Sequence, residues 1–180
     1  MHQLTQAHLP PLKEALLSLR PTGAAGFEGL LAAVLSEVCG QPFRLASSGS
    51  QRGRDGNSAF DAGATYFEAK LYHGTVDSSV VGNKITELSI DDAGQVDTWA
   101  LCATSQVSTQ VEDLCRKGFA KIGIGCLVLD WPDHVLPPLA VLLALAPSTT
   151  EAFITTNSRE KTKVVGLKAH LDGVAADSQF

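Results

Sequence analysis

One segment constrains the fold more than any other, and it occupies residues 47–72, with the sequence SSGSQRGRDGNSAFDAGATYFEAKLY. It begins with a glycine-rich turn that carries Asp55 and ends in a β-rich run in which Glu68 and Lys70 are two residues apart. Successive side chains on a strand point to opposite faces, so Glu68 and Lys70 are predicted to share one face. The apolar residues between them are predicted to point the other way, toward a core.

On either side of this segment, the apolar pattern switches between helical and extended periods. The clearest helix is predicted over residues 26–39, where apolar residues recur at helical spacing and Gly40 and Pro42 end the pattern. The predicted strands are 43–47, 55–60, 65–72, 96–104 and 124–131, and the predicted helices are 9–19, 26–39, 76–88, 109–122, 136–146, 148–156 and 161–176. This order predicts an α/β sandwich with a mixed sheet, in which an antiparallel meander is followed by strands that enter through helical crossovers.

Several of these segments carry more specific predictions. The strand at 124–131 is almost continuously apolar, which is typical of a strand covered on both faces. Residues 136–146 fit either a strand or a buried helix, and their Leu and Ala content favours the helix. Two helices have the Ser/Thr and Glu spacing of a capping box at their start, Thr109 with Glu112 and Ser148 with Glu151.

Length and charge limit the classes of function. A chain of 180 residues suits one domain with a small appendage, which we place at residues 1–146 and 147–180. The net charge of −5 is unfavourable for broad contact with phosphates, which needs Lys and Arg. It does not exclude a nucleic-acid site, because a bound Mg²⁺ supplies positive charge locally.

Cysteine spacing indicates whether a zinc site is present, and hydropathy indicates where in the cell the protein is expected. The four cysteines are far apart and form no CxxC pair, which argues against a zinc site. The N-terminus lacks the basic and then apolar pattern of a signal peptide. The longest apolar run, residues 139–146, is too short to cross a bilayer. We therefore expect a soluble cytoplasmic protein with no membrane partner.

The residue types around the ExK pair suit a metal site that acts on phosphodiesters. Mg²⁺ prefers hard oxygen ligands, and Asp55 and Glu68 are predicted on neighbouring strands of a hairpin, where their carboxylates can converge. The backbone carbonyl of Ala69 can add a ligand. Lys70 can orient or help to deprotonate the attacking water, or can neutralise charge on the phosphate. Glu28, at the edge of the buried face of its helix, can reach the same place directly or through a water.

These residues carry a resemblance to a known family. Glu28 on the first long helix, Asp55 between glycines at 53 and 56, and Glu68-Ala69-Lys70 at the end of an apolar strand together resemble the PD-(D/E)xK, restriction-endonuclease-like superfamily. The order is similar to its Mrr-like branch and covers about residues 26–131. Arg54 stands where the superfamily often has proline. Residues 96–146 are also similar to the nuclease domains at the N-terminus of bacterial anti-phage NTPase proteins.

The resemblance implies both a fold and a function. The fold would be an αβββαβ core with a mixed central sheet flanked by helices, plus C-terminal helices. It implies that residues 1–146 form a nuclease domain with its core at 26–131, followed by a helical extension at 147–180. The activity would be Mg²⁺-dependent or Mn²⁺-dependent endonucleolytic hydrolysis of DNA, double-stranded and with little sequence specificity, in anti-phage defence. A homo-oligomer, or fusion to a regulatory NTPase or sensor region, is implied as the assembly.

Each of these residues also has a plainer interpretation. Asp55 can be a turn residue, and Glu28 can be a first-turn acid favoured by the helix dipole. Arg52, Arg54 and Lys84 are the candidate DNA contacts, and each can equally be a solvated charge. No GxxxxGK[ST] motif occurs, so the chain has no NTPase of its own.

Two functions of other classes stay open. One is a catalytically silent nuclease fold that serves as a DNA-binding or assembly module. The other is a structural oligomerisation domain, which is supported by the apolar run at 139–146 and by the acidic composition.

Overall fold

A five-stranded sheet forms the centre of the molecule, and its strands lie side by side in chain order. The computed structural model describes residues 6–46, 54–58, 63–72, 74–91 and 95–178. The strands are β1 Phe43–Leu45, β2 Gly56–Ser58, β3 Ala64–Lys70, β4 Val96–Ala103 and β5 Gly125–Leu129. β1, β2 and β3 pair antiparallel, whereas β3, β4 and β5 pair parallel. The predicted mixed sheet, with a meander followed by parallel strands, is confirmed.

Seven α-helices surround the sheet in the described part of the chain. They are α1 Leu9–Leu17, α2 Phe27–Cys39, α3 Ser78–Asp91, α4 Thr109–Lys121, α5 Pro138–Leu145, α6 Pro147–Asn157 and α7 Leu167–Asp177, with 3-10 turns at Gln6–His8 and Lys161–Val164. The order from α2 through β1, β2, β3 and α3 to β4 is the predicted helix, three strands, helix and strand. α2 ends at Gly40, whose φ of 63° is the left-handed conformation of a glycine cap.

Two hydrophobic cores lie on opposite faces of the sheet. Phe67 and Ala69 of β3 belong to a first core with α1, α2, α5, α6 and α7. Tyr66 of β3 and Trp99 of β4 belong to a second core with α3 and α4, where Trp99 stacks on Phe119 with ring centroids 4.6 Å apart. Because side chains alternate along β3, Glu68 points to the same face as Tyr66, under α3. That face is buried, so the ExK pair does not lie on an open sheet surface.

The C-terminal helices pack into the first core. Leu167, Leu171 and Val174 of α7 are buried in it together with residues of α1. Arg159 donates hydrogen bonds to the backbone oxygens of Ser18 and Leu19, at 3.2 and 3.0 Å. Helices thus occupy the range predicted as a helical extension, and they close over the first helix of the chain.

Strand β5 departs from its prediction. It is the edge strand of the described sheet, and Leu127 on it is 48% exposed. The prediction that both faces of residues 124–131 are covered is therefore wrong. An apolar run indicates strand character but does not reveal whether another strand or helix will lie beside it.

The predicted capping boxes are also wrong. α4 begins at Thr109 as predicted, but its N-cap is Ser108, whose side chain accepts the hydrogen bond from Val111 N at 3.3 Å, so Thr109 is not the capping residue. α6 begins at Pro147 and has no side-chain cap, so Ser148 lies inside the helix. Proline is favoured at a first helical position because its missing N–H needs no partner there.

The last predicted helix, 161–176, is interrupted. A 3-10 turn covers Lys161–Val164, and α7 starts only after Gly166, whose φ is 72°. A left-handed residue cannot continue an α-helix, so the apolar periodicity across residues 161–176 joins two separate pieces.

The length and hydropathy of the helices bear on whether one of them could cross a membrane. Of the helices that the structure describes, none by itself is long and apolar enough to cross a bilayer. Among these described helices, only α5 and α6 taken together reach the length and hydropathy of a membrane span, and a bend of 99° separates them.

Candidate active site

A cleft of about 330 Å³ at the carboxyl end of β3 gathers most of the predicted site residues. Its lining consists of Pro21, Thr22, Glu28, Asp55, Glu68, Ala69, Lys70, Leu71 and Tyr72. The antiparallel pairing of β2 with β3 brings Asp55 to this end, and the start of α2 brings Glu28. The four residues predicted to be catalytic therefore lie around one space.

Backbone and side-chain hydrogen bonds fix Asp55 beside β3. Its N–H donates to Phe67 O at 2.9 Å, and its own carbonyl accepts from Ala46 N at 2.8 Å. Its Oδ2 accepts a hydrogen bond from Ala69 N at 2.8 Å, and the residue is only 8% exposed. The carboxylate therefore lies against the strand that carries the ExK pair.

Glu68 lies between two ammonium groups. Lys70 Nζ donates to Glu68 Oε1 at 2.6 Å, and Lys84 Nζ of α3 lies 3.5 Å from Oε2. Glu68 is 2% exposed, and Oε2 has no hydrogen-bond partner in the described part of the chain. The carboxylate is thus buried, with one oxygen held by Lys70 and the other oxygen only electrostatically compensated.

Glu28 joins the cleft from the other side of the sheet. It lies in the first turn of α2, and its Oε2 accepts a hydrogen bond from Gly23 N at 2.8 Å. Glu28 is thus a first-turn acid, as its plainer interpretation predicts, and it also lines the cleft, as a role in the site requires.

Burial and crowding of like charges shift the acidities in the cleft. Burial raises the pKa of Glu68, and the Asp55 carboxylate raises it further, while Lys70 and Lys84 oppose both effects. Burial also raises the pKa of Glu28, and Asp55 contributes in the same direction. Burial lowers the pKa of Lys70, but the Glu68 and Asp55 carboxylates outweigh it and leave that pKa above its ordinary value. Lys70 therefore holds its proton as an ammonium in this arrangement.

Two of the three predicted DNA contacts, Arg54 and Lys84, lie within the described residues. Arg54 places its guanidinium 4.2 Å from the centre of the Tyr66 ring and donates from Nε to Asn57 Oδ1 at 3.2 Å. Lys84 is turned inward, with its side chain 14% exposed. Arg52 lies outside the described residues. The structure therefore brings Lys84 to the site itself, and it places Arg54 against β3 rather than in the cleft lining.

Thr104 is a site residue that sequence reasoning missed. Its N–H donates to Lys70 O at 3.0 Å, and its Oγ1 accepts from Tyr72 N at 3.0 Å. These bonds hold the end of β3 in place, so that Lys70 and Tyr72 line the cleft. The available signal was that Thr104 ends the next parallel strand, and the carboxyl ends of parallel strands meet at one edge of a sheet.

The donor set suits a hard divalent cation. Asp55 and Glu68 supply carboxylate oxygens and Ala69 a carbonyl, and all three residues line the cleft. In the described residues, no three His, Cys, Asp or Glu side chains are grouped closely enough to hold a metal by themselves. Mg²⁺ commonly binds through one or two carboxylates and keeps several waters, so this pair fits it, with Mn²⁺ as a substitute. Lys70 has to leave Glu68 Oε1 for that oxygen to serve.

Comparison of the chain with protein-family models, with curated proteins and with solved structures found no significant match. A functional assignment therefore depends on the chemistry of the cleft.

Proposed function

We propose that this protein is a metal-dependent endonuclease that hydrolyses phosphodiester bonds of DNA in the cleft at the end of β3. The observation that carries the proposal is the convergence of Asp55, Glu68 and Lys70, from two neighbouring strands, in a cleft that Glu28 also lines. The order of helix, three strands, helix and strand supports it, because it is the core expected of a restriction-endonuclease-like protein.

In this proposal the carboxylates bind the metal ion, and Lys70 acts on the substrate or the attacking water. Asp55, Glu68 and the Ala69 carbonyl hold Mg²⁺ or Mn²⁺, and Glu28 supports them through a water. A bound cation of this kind lowers the pKa of its water and polarises a phosphoryl oxygen. Lys70 neutralises charge on the phosphate, or orients and helps to deprotonate the attacking water.

The charge of the molecule limits how DNA can bind to it. A net charge of −5 leaves little attraction for DNA away from the cleft, so affinity has to come from the metal, a few cations or a second subunit. We propose double-stranded DNA with little sequence specificity as the substrate. We also propose a homo-oligomer, or attachment to a regulatory NTPase or sensor, acting in the cytoplasm in anti-phage defence.

Cleavage of a supercoiled plasmid tests the proposal. The wild type is expected to nick and linearise the plasmid with Mg²⁺ or Mn²⁺, and EDTA is expected to stop it. Lys70→Ala and Asp55→Ala should each lower the rate by roughly 10²-fold or more, the usual contribution of a positioned catalytic group. Lys168→Ala is the matched control, because Lys168 is an exposed lysine that pairs with Asp172 within α7.

Equal nicking by the wild type and by both cleft variants would overturn the proposal, because the activity would then lie outside the cleft or in a contaminant. Cleavage that continues in EDTA would show that the reaction does not need a metal, and would contradict that part of the proposal.

A silent nuclease fold is the second candidate, and one observation favours it. Lys70 and Glu68 form a close ion pair of 2.6 Å, which gives Glu68 Oε1 a cationic partner without a metal. If the pair is purely structural, the wild type will bind DNA without cutting it in either metal, and Lys70→Ala will change only the stability of the protein.

A further inference from the structure

Lys84 lies behind the cleft rather than in it. Its Nζ is 3.5 Å from Glu68 Oε2, and its second contact is with Glu87 Oε2, at 3.6 Å on the same helix. The residues that line the cleft include Glu68 and Lys70 but not Lys84. An ammonium in this position approaches Glu68 from the α3 side and does not face the space where a DNA phosphate would enter.

The two lysines around Glu68 therefore have different access. Lys70 lines the cleft and holds Oε1, whereas Lys84 holds Oε2 from the protein side. If Lys70 turns toward a substrate phosphate, Lys84 is the lysine that remains next to this buried carboxylate. A buried charge without a partner is strongly unfavourable, so Glu68 without Lys84 would keep Lys70 bound to itself.

We propose that Lys84 is a positioning residue of the nuclease centre: by holding Glu68 Oε2, it directs Oε1 to the cleft and frees Lys70 for the phosphate. The inference depends on the proposed nuclease function and deepens it. Lys84 belongs to the site through Glu68, and it is not a contact to DNA as its position in the sequence had suggested.

Three variants separate this role from a contact with phosphate. Lys84→Met keeps the apolar stem and removes the charge, and Lys84→Arg keeps a cation. Glu87→Gln is the matched control, because it removes the charge of the other contact of Lys84 and leaves Glu68 untouched. Each is compared with the wild type by plasmid cleavage kinetics and by calorimetric titration with Mn²⁺ in the absence of DNA.

Lys84→Met is expected to lower kcat about 10- to 100-fold and Mn²⁺ affinity about 10-fold, as for the loss of a group that orients a metal ligand. KM for DNA should change less than about 2-fold, because the lost group does not touch the substrate. Lys84→Arg should restore most of both losses, and Glu87→Gln should behave as the wild type.

The opposite pattern would overturn the inference. A raised KM and a weaker dependence of binding on salt, with unchanged kcat and Mn²⁺ affinity, would make Lys84 a phosphate contact. Unchanged or tighter Mn²⁺ binding by Lys84→Met would also overturn it. If Lys84→Met does not fold, Lys84→Gln, which keeps a donor without the charge, is judged by the same criteria. A wild type that neither cleaves nor binds Mn²⁺ would instead contradict the proposed function.

Discussion

At the scale of single residues, Asp55 shares one cleft with two other acids, Glu28 and Glu68. Burial is the largest cause of the raised pKa of both Glu28 and Glu68, and the Asp55 carboxylate contributes in the same direction. Its one direct bond, from Ala69 N to Oδ2, requires an acceptor but not a charge. This position supports the proposed role of Asp55 as a metal ligand, since binding sites commonly trade stability for function.

Asp55→Asn tests directly whether the charge of Asp55 lowers the stability of the protein. Asparagine keeps the acceptor for Ala69 N–H and removes the charge, so the free energy of unfolding should rise by about 0.5–1 kcal/mol in metal-free buffer. Urea denaturation measures it, with the exposed Asp172→Asn on α7 as control. Added Mg²⁺ should stabilise the wild type and not the variant. A clear loss of stability would instead support the interpretation of Asp55 as a structural turn residue.

The site was only partly predictable at this scale. Alternation along one strand is a local rule, and it placed Glu68 and Lys70 side by side. The contact between Lys84 and Glu68 joins α3 to β3, and the stacking of Arg54 on Tyr66 joins the start of β2 to β3. Helical periodicity gives the face on which Lys84 lies, but only the packing of α3 on the sheet shows what that face meets.

At the scale of elements, β2 approaches β3 very closely, and Gly56 makes the approach possible. Gly56 pairs with Phe67, and a Cβ on Gly56 would lie 2.5 Å from Cζ of that buried ring and 2.8 Å from Arg44 O. The glycine after Asp55 therefore serves packing, because it allows the turn that bears the carboxylate to lie flat on β3.

A pair of glycine substitutions tests the importance of this approach. Gly56→Ala should lower the free energy of unfolding by about 1–3 kcal/mol, because the methyl group overpacks a ring with little room to move. Gly82→Ala in α3, where a Cβ meets no described atom within 4 Å, should raise stability by up to about 1 kcal/mol through helix propensity. Urea midpoints that move equally for both variants would contradict the close packing of β2 on β3.

Element types were easier to predict than their ends and neighbours. The helices and strands follow from apolar periods, and the Leu-rich run at residues 136–146 is the buried helix α5 that its composition favours. The choice of Ser108 as the N-cap of α4 depends on which hydroxyl reaches an N–H, and the interruption before α7 depends on one backbone angle at Gly166. The exposure of β5 depends on its place at the edge of the sheet, which local sequence does not contain.

At the scale of the whole molecule, both ends of the described chain contribute to one core. Residues of α1 and α7 are buried together, and Arg159 links the end of α6 to the end of α1. This core supports the face of the sheet opposite Glu68, while α3 and α4 cover the other face. The cleft opens at the carboxyl end of β3, where ligands commonly bind in sheets with parallel strands.

The position of a bound Mn²⁺ in a crystal of the wild type is the most direct test of the account, and anomalous scattering locates that ion. The account predicts one peak in the cleft, with oxygens of Asp55 and Glu68 about 2.1 Å away, the distance usual for a hard cation of this size. It also predicts that Lys70 Nζ has left Glu68 Oε1, its partner at 2.6 Å in the metal-free protein. A cleft without a peak, at an Mn²⁺ concentration that supports plasmid cleavage, would contradict the account.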